Sequence, residues 1–238
     1  MIDTHCHLLH SLDDGPKDVH DSVELARQLA TAGVRTVVFT PHFSRRFRTE
    51  LRPALARITE LERLLLEAPI GLSLSLAAEV SPAFAVSEPM EELLPRTIAG
   101  RFLLVELEPD TPAAFLETAV ERLAGERLSP VFAHPERCRS VREQPRLLEE
   151  ARAAGALVQV VAPSLTGRFG KDVGIAGWKL LDAGVVDLLG SDSHRPAETK
   201  THLEVAAAEI EARYGGEVLA DLTERAPARL VNIVAWES

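Results

Sequence analysis

The sequence is poor in cysteine, contains no long apolar run and lacks an excess of positive charge. Its 238 residues include two cysteines, Cys6 and Cys138, which argues against a disulfide-stabilised scaffold and is typical of a reducing compartment. No apolar run approaches the roughly 18 residues of a membrane span. The sequence also lacks a basic N-terminal segment followed by a cleavable apolar stretch, so we do not expect secretion. The sequence therefore predicts a cytoplasmic protein with no stable membrane insertion.

The net charge is acidic, which excludes one large class of partners. At a formal charge of −10, a general nucleic-acid surface is disfavoured because the phosphate backbone would be repelled. An anionic substrate at one locally basic spot remains compatible with this charge. Hydrophobic residues make up 46% of the chain, which is ample for a globular core.

Apolar segments alternate with segments rich in Ala, Leu, Glu and Arg, which predicts a parallel sheet covered by helices. Gly33 and Gly155 stand where helix C-caps are expected, just before the next apolar segment. Seven strand–helix units without a Gly-rich dinucleotide fingerprint favour an α/β barrel over an open sheet, in one domain covering 1–238. The predicted strands are 1–5, 34–40, 71–80, 101–107, 129–134, 156–161 and 184–192, and the predicted helices include 21–33, 50–68, 111–125, 144–155 and 198–216.

Imidazoles and carboxylates stand at the ends of six of the seven predicted strands, where a β/α barrel places its working groups. In "THCH" and "SDSH" two such residues are two positions apart, so on an extended backbone they point the same way. These mixed ligands suit Mn, Fe, Zn or Co, and they are too many for one tetrahedral ion, so we expect two or three bridged divalent ions. The predicted ligands are His5, His7, Asp14, His42, Glu79, Glu106, His134, Asp192 and His194.

These motifs resemble a known family. "MIDTHCHLLHSLDDG", "TPHF", "HPER", "QVVAPSLTGRFG" and "SDSH" are similar to the PHP (polymerase and histidinol phosphatase) superfamily. They are most similar to its bacterial tyrosine-phosphatase branch, which acts on tyrosine kinases of capsule and exopolysaccharide synthesis. The matched segments run from residue 1 to about residue 203.

The resemblance implies a distorted seven-stranded, TIM-like barrel of PHP type that holds three metal ions, with manganese as the expected metal. By position, His5, His7, Glu79 and Asp192 would hold the first ion. Glu79 would bridge to a second ion, shared with Glu106 and His134, while Asp14, His42 and His194 would hold the third. Arg137, three residues after His134, matches the family arginine that grips the substrate phosphate, and its planar fork of donors suits a phosphoryl group.

One position departs from the branch pattern. The family usually has a second phosphate-gripping arginine a few residues after "SDxH", and that slot falls on Thr199. Arg195 or Lys200 are the substrate-binding candidates that could compensate.

A basic stretch, "FSRRFRTE", follows His42 directly. It either forms a solvated loop or a rim that draws an anionic phosphopeptide to the metals, and we favour the rim, formed by Arg45, Arg46 and Arg48. Phe43 and Phe47 are candidates to stack on an aromatic substrate ring.

The sequence supports three hypotheses on function. The first is a metal-dependent protein-tyrosine phosphatase of polysaccharide synthesis, in which a metal-activated hydroxide attacks phosphorus. A cysteine nucleophile is disfavoured, because the position six residues after each cysteine holds Leu12 or Gln144 instead of arginine. The second hypothesis is a phosphatase for a small ester such as histidinol phosphate. The third is a non-catalytic metal-binding module. Missing metal ligands would favour this hypothesis, but every ligand position of the family pattern is filled.

Overall fold

The computed structural model describes residues 1–231, apart from the side chains of residues 197–201. Its strands are β1 (Ile2–Cys6), β2 (Thr36–Phe39), β3 (His42–Phe43), β4 (Ser73–Leu76), β5 (Glu79–Val80), β6 (Phe102–Glu106), β7 (Ser129–Ala133), β8 (Leu157–Val161) and β9 (Leu188–Gly190). Its α-helices are α1 (Val19–Thr31), α2 (Leu51–Glu67), α3 (Pro82–Ser87), α4 (Met90–Leu93), α5 (Ala114–Gly125), α6 (Arg139–Glu143), α7 (Arg146–Ala153), α8 (Ala162–Leu165), α9 (Lys171–Asp182), α10 (Pro196–Tyr214), α11 (Gly216–Ala220) and α12 (Ala226–Val231). Short 3₁₀ turns at Leu94–Arg96 and Pro135–Arg137 and a π-helical turn at Asp221–Arg225 complete the described elements.

All strand pairs within these sheets are parallel, as the alternating pattern predicts. One sheet has three strands in the order β1-β2-β4, and the other has six in the order β3-β5-β6-β7-β8-β9. The two sheets also meet at their ends, because the amide of Asp192, just after β9, donates to the carbonyl of His5 in β1 (2.9 Å). The amide of His7 donates in turn to the carbonyl of Ser193 (2.9 Å). The beginning and the end of the strand series are thus hydrogen-bonded to each other.

One predicted strand is divided into two shorter strands, and a short strand that was not predicted follows another. The predicted strand 34–40 ends at Phe39, and the chain resumes as β3 after Pro41, which has no amide proton for a ladder. The predicted strand 71–80 is interrupted at 77–78. Since β2 pairs with β4 and β3 pairs with β5, both interruptions move the chain from the first sheet to the second.

All five predicted helices named above are present, as α1, α2, α5, α7 and α10, with ends shifted by a few residues. Asp18 caps α1 by accepting from the amides of His20 (2.9 Å) and Asp21 (3.0 Å). Gly33 and Gly155, expected as C-caps, have φ of 89° and 100°, where a side chain would be strained. The short helices α3, α4, α6, α8 and α11 and the longer α9 are not among the predicted segments.

The apolar core is divided into two clusters. The larger one lies between the strands and the surrounding helices and includes Leu25, Leu61, Leu123 and Leu148. The smaller one joins strand residues such as Val38, Leu104 and Val131 to Leu230 of α12. None of the helices within the described residues has the length and apolar character needed to cross a bilayer.

Candidate metal centre and substrate cavity

The nine predicted ligands come together at the carboxyl ends of the strands, and we call them the histidine–carboxylate cluster. Candidate ligand atoms fall into four overlapping groups, within each of which the atoms lie within 4.8 Å of one another. The groups are His7 with Asp14, His42 and His194; His5 with Glu79 and His134; His5 with His7 and Asp192; and His42 with Glu79 and Glu106. The cluster opens into a cavity of about 480 Å³. Around the cluster, this cavity is lined by Ser44, Arg46, Phe47, Glu108, Arg137, Pro163, Arg168, Phe169, Ser191, Ser193, Arg195 and His202.

His5 and His7 extend from β1 into the cluster with their Nε2 atoms facing each other. The two Nε2 atoms are 3.3 Å apart. Glu79 Oε2 lies 3.4 Å from His5 Nε2 and 3.3 Å from His7 Nε2, and Asp192 Oδ1 lies 3.5 Å and 3.8 Å from the same two nitrogens. These four side chains are the set that the family resemblance assigns to the first ion.

The other ring nitrogens of this pair are held by neighbouring polar groups. His7 Nδ1 lies 2.7 Å from Asp13 Oδ2, and His5 Nδ1 lies 2.9 Å from Gln159 Oε1, whose amide nitrogen donates to Thr4 Oγ1. A carboxylate oxygen and an amide oxygen both accept, so in the neutral form that binds metal each histidine carries its proton on Nδ1 and directs the lone pair of Nε2 into the cluster.

Glu79 lies at the centre of the cluster and is 1% exposed. Its Oε1 lies 2.8 Å from His134 Nε2. Its Oε2 receives no hydrogen bond from the described residues, although His42 Nδ1 approaches to 3.1 Å. Burial and the charge of Glu79 raise the pKa of the adjacent Glu106 to about 7. The cluster thus holds negative charge that its own hydrogen bonds leave uncompensated.

Asp14, His42 and His194 form the outer side of the cluster. Asp14 Oδ1 lies 3.4 Å from His42 Nε2 and 3.4 Å from His194 Nε2, and these two partners hold the pKa of Asp14 well below its usual range. The Nδ1 atom of His194 donates to the carbonyl of Asp192 (2.9 Å), which turns Nε2 towards Asp14. These three residues are the set assigned to the third ion. For the second ion the grouping differs from the assigned one, since Glu106 lies with His42 and Glu79 instead of with His134.

Backbone geometry at the strand ends directs several of these side chains. His134 after β7 and Asp192 after β9 have φ of 38° and 49°, a left-handed conformation that is uncommon for residues other than glycine. A Cβ at Gly15 would lie 2.3 Å from the carbonyl oxygen of His7, and one at Gly190 would lie 3.0 Å from His5 Cβ. Glycine is therefore required at position 15, where the "DDG" loop passes close to the end of β1, whereas a Cβ at position 190 would need its neighbours to shift slightly.

Arg137 extends from the 3₁₀ turn after β7 to the edge of the cluster. Its Nη1 donates to Asp192 Oδ2 (3.1 Å), and its guanidinium carbon lies 4.4 Å from the centre of the Phe169 ring. Arg142 supports the turn by donating to the carbonyl of Arg137 (2.6 Å). The guanidinium is thus held beside the cluster, where it lines the cavity.

The predicted substrate-binding residues have different environments. Arg46 and Arg195 line the cavity. Arg45 is exposed and is not among the lining residues. Arg48 makes a bidentate ion pair with Glu88 (2.9 and 3.2 Å). The side chain of Lys200, like that of Thr199, lies outside the described residues.

Of the two phenylalanines predicted to stack on substrate, only Phe47 can reach it, because Phe43 is fully buried and packs edge-on against Phe84. The sequence reasoning missed Asp13 and Gln159 as partners of the ligand histidines and Arg168 and Phe169 as lining residues. The last two belong to the "SLTGRFG" stretch, so a signal for them was present.

The donor set fits divalent cations on the geometry of this structure. The Nε2 lone pairs of His5 and His7 face each other at 3.3 Å and repel each other unless a cation lies between them. The buried Oε2 of Glu79, which receives no hydrogen bond from the described residues, also needs a cation to compensate its charge. The electrostatics agree: burial alone would lower the pKa of His5, but the charges of Glu79 and Asp192 raise it to about 9. A proton and a metal ion compete for such a nitrogen, so this environment favours cations.

Comparison with known proteins assigns the family. Residues 1–232 match the family model described as capsular polysaccharide synthesis, CpsB/CapC. The chain belongs to the CpsB/CapC family. It is 31% identical over 237 residues to the tyrosine-protein phosphatase YwqE of Bacillus subtilis, covering 98% of this chain and 92% of that protein. It is also 24% identical over 238 residues to the tyrosine-protein phosphatase CpsB of Streptococcus pneumoniae, with 97% and 98% covered.

Solved structures agree with this assignment. A crystal structure reported for YwqE and CpsB as unique metal-dependent tyrosine phosphatases superposes with a TM-score of 0.87 at 31% identity, covering 97% of this chain and 94% of the other. The zinc-bound histidinol phosphate phosphatase of Lactococcus lactis superposes with a TM-score of 0.57 at 13% identity, covering 89% and 92%. The second likeness shows a shared fold.

Proposed function

We propose that this CpsB/CapC-family chain is a metal-dependent phosphatase that removes phosphate from tyrosine side chains of proteins. The observation that carries the proposal is the histidine–carboxylate cluster at the floor of a cavity that also contains the Arg137 guanidinium. The tyrosine-phosphatase names of its relatives support the substrate class. The further proposal of a tyrosine kinase of capsular or extracellular polysaccharide synthesis as the substrate draws on the family description.

We also propose that the two sheets form one distorted seven-stranded barrel of PHP type, in a single domain covering 1–238. In this barrel β2 and β3 together would count as one strand, and β4 and β5 together as another. The hydrogen bonds between the ends of β1 and β9 support this arrangement. Both cysteines are free thiols, which suits the proposed cytoplasmic setting.

The family resemblance assigns the residues that would hold the ions, and all of them occur in the four groups. His5, His7, Glu79 and Asp192 would hold one ion, Glu79, Glu106 and His134 a second, and Asp14, His42 and His194 a third; manganese is the proposed metal, with iron, zinc and cobalt as alternatives. Bound divalent ions at such a site supply an activated water and neutralise charge on the phosphoryl oxygens.

The remaining work falls to side chains of this chain. Arg137 binds the phosphoryl oxygens, since its fork of donors is already oriented by Asp192 and Phe169. Asp13 and Gln159 hold the rings of His7 and His5 in the tautomer that ligation needs.

A thiol mechanism is disfavoured by the placement of both cysteines. Cys6 and Cys138 are fully buried. Burial raises the pKa of the Cys6 thiol well above its usual range, which opposes thiolate formation.

The test is phosphate release from a phosphotyrosine peptide by protein stripped with a chelator and then reloaded with Mn²⁺, Zn²⁺, Fe²⁺ or Co²⁺. We expect activity to be lost on stripping and to return on reloading. His7→Asn should abolish it, whereas His20→Asn, a change at an exposed histidine outside the cluster, should not. A reloaded protein that leaves the peptide intact but hydrolyses histidinol phosphate would overturn the tyrosine assignment in favour of a small ester.

A further inference from the structure

Among the described residues, Phe47 and Phe169 are the two phenylalanines that line the cavity above the histidine–carboxylate cluster. We propose that these two rings form the walls of an aryl subsite, which selects aromatic over aliphatic phosphate esters. The inference deepens the proposed function and rests on it, because it names the part of the substrate that the cavity recognises besides the phosphate.

Phe169 is an exposed ring on a loop whose backbone is fixed. Its side chain is 37% exposed, yet three backbone hydrogen bonds hold residues 167–170: Gly167 to Ser164 (3.1 Å), Arg168 to Pro163 (3.0 Å) and Gly170 to Gly167 (3.1 Å). The flanking Gly167 and Gly170 have φ of 82° and 95°, which lets the chain turn sharply on both sides of the ring. The loop therefore presents a phenyl group to the cavity at a defined position.

Phe47 is held in a similar way by the segment between β3 and α2. It ends a tight turn in which the amide of Ser44 donates to the carbonyl of Phe47 (2.8 Å) and Ser44 Oγ accepts from the amide of Phe47 (3.2 Å). The ring stacks on the imidazole of His42, with centroids 5.7 Å apart and planes 13° apart. The next residue, Arg48, fastens the turn through its ion pair with Glu88 and its contact with Phe43 (5.4 Å).

Each ring lies directly beside a group assigned to the phosphate or to the metal. The guanidinium of Arg137 lies over Phe169, and Phe47 stacks on His42, so both rings border the position of the phosphoryl group. In an aryl phosphate the ring carbon is bonded to the ester oxygen. An ester gripped by Arg137 therefore brings its own ring to the level of Phe47 and Phe169, where edge or offset stacking is available.

The energetics of such a subsite favour an aromatic ligand. Apolar surface of Phe169 that faces water in the free protein is covered on binding. Offset or edge-on contacts between rings add a preference over a saturated ring of the same size, of about two- to tenfold in affinity per ring pair. Aliphatic phosphate esters would gain the phosphate contacts alone.

The experiment measures binding of two phosphonates that cannot be hydrolysed, benzylphosphonate and (cyclohexylmethyl)phosphonate, to metal-loaded protein by calorimetry. The pair differs in aromaticity but shares its size and its phosphonate, so leaving-group chemistry does not enter. We expect wild type to prefer benzylphosphonate. Phe169→Leu and Phe47→Leu should each lower the ratio of the two affinities by about two- to tenfold, and a change in phosphate binding cancels from this ratio because both ligands carry the same phosphonate.

Phe115→Leu, at a partly buried phenylalanine of α5 outside the cavity, serves as the matched control and should keep the wild-type ratio. Metal content and Tm are compared for all variants, and the two phenylalanines lie on separate loops, so one unfolded variant leaves the other to decide. An unchanged ratio in folded Phe169→Leu and Phe47→Leu overturns the aryl subsite.

Hydrolysis of a phosphotyrosine peptide by the same preparations separates the two claims. If wild type hydrolyses the peptide but the ratio of the two phosphonate affinities is the same in the variants, the aryl subsite is refuted and the proposed function stands. A ratio that falls in the variants of a protein that does not hydrolyse the peptide keeps the subsite and removes the proposed function.

Discussion

Asp13 provides the sharpest test of how the histidine–carboxylate cluster is held together. Its carboxylate is almost fully buried and accepts from three groups: His7 Nδ1 (2.7 Å), the amide of His42 (3.0 Å) and the amide of Gly15 (2.9 Å). In Asp13→Asn the side chain keeps its size, but one oxygen becomes an amide NH₂. If the NH₂ group takes the place of Oδ2, the contacts with His7 and His42 are both lost. If it takes the place of Oδ1, the NH₂ group faces the amide of Gly15, which is also a donor.

The magnitude follows from the role of Asp13 as the partner of a ligand. Losing the carboxylate that orients a metal-binding imidazole typically costs about 10- to 100-fold in metal affinity. That corresponds to about 1.4–2.7 kcal/mol of binding free energy. We expect this loss for the ion that His7 holds, while the fold persists because the apolar core does not include Asp13.

The assay is a competition between the protein and a fluorescent chelator for Mn²⁺, with Tm as a check on folding. Asp110→Asn, at an exposed carboxylate paired with Arg139, is the matched control and should bind metal like wild type. If Asp13→Asn folds and retains wild-type affinity for every ion, the reasoning that a carboxylate must fix the His7 tautomer is refuted.

Three further predictions follow from the same geometry. Gly15→Ala places a methyl group 2.3 Å from the His7 carbonyl oxygen, so we expect a Tm lower by about 2–12 °C and weaker metal binding, measured by thermal unfolding and chelator competition. Arg137→Lys loses the planar fork and should lower kcat/KM for a phosphotyrosine peptide by about 10- to 100-fold, with metal content unchanged. Iodoacetamide should leave activity intact in the native protein, because Cys6 and Cys138 are fully buried.

Each of these has a contrary outcome. Gly125→Ala, where an added Cβ meets open space, is the control for the first, and equal Tm values for the two alanine variants would contradict the close approach at Gly15. Full activity of Arg137→Lys would show that the guanidinium does not bind the phosphate. Inactivation in step with alkylation of a cysteine would reopen a thiol mechanism.

The sequence could place the side chains of the cluster near one another because most of them are tied to the ends of strands. A strand end is marked by where an apolar run stops, so His42, Glu79 and Glu106 could be placed without knowing the three-dimensional structure. The period-two spacing of His5 and His7 likewise carries its own geometry. Family resemblance then grouped the ligands, and the grouping differs in the structure at Glu106, which lies with His42 and Glu79.

What the sequence did not reveal depends on contacts between distant segments. Gln159 is hydrogen-bonded to His5, which is 154 residues away in the sequence, and Arg48 pairs with Glu88, which is 40 residues away. No local sequence pattern predicts either contact. The interruption of the predicted strand 71–80 and the unpredicted strand β3 after Pro41 have a similar cause, because the sheet that each short strand joins is decided by its pairing with a distant neighbour. Short helices such as α8 lack enough turns for a periodic signal.

The central claim is that this cluster holds two or three divalent ions, and the most direct test is their number per chain. Mass spectrometric metal analysis after reloading with Mn²⁺ and removal of free metal should give two to three ions in wild type. The same analysis should give fewer in a folded Glu79→Gln variant, because Glu79 belongs to two of the four groups. Fewer than two ions per folded wild-type chain, or an equal count in both proteins, would contradict the account.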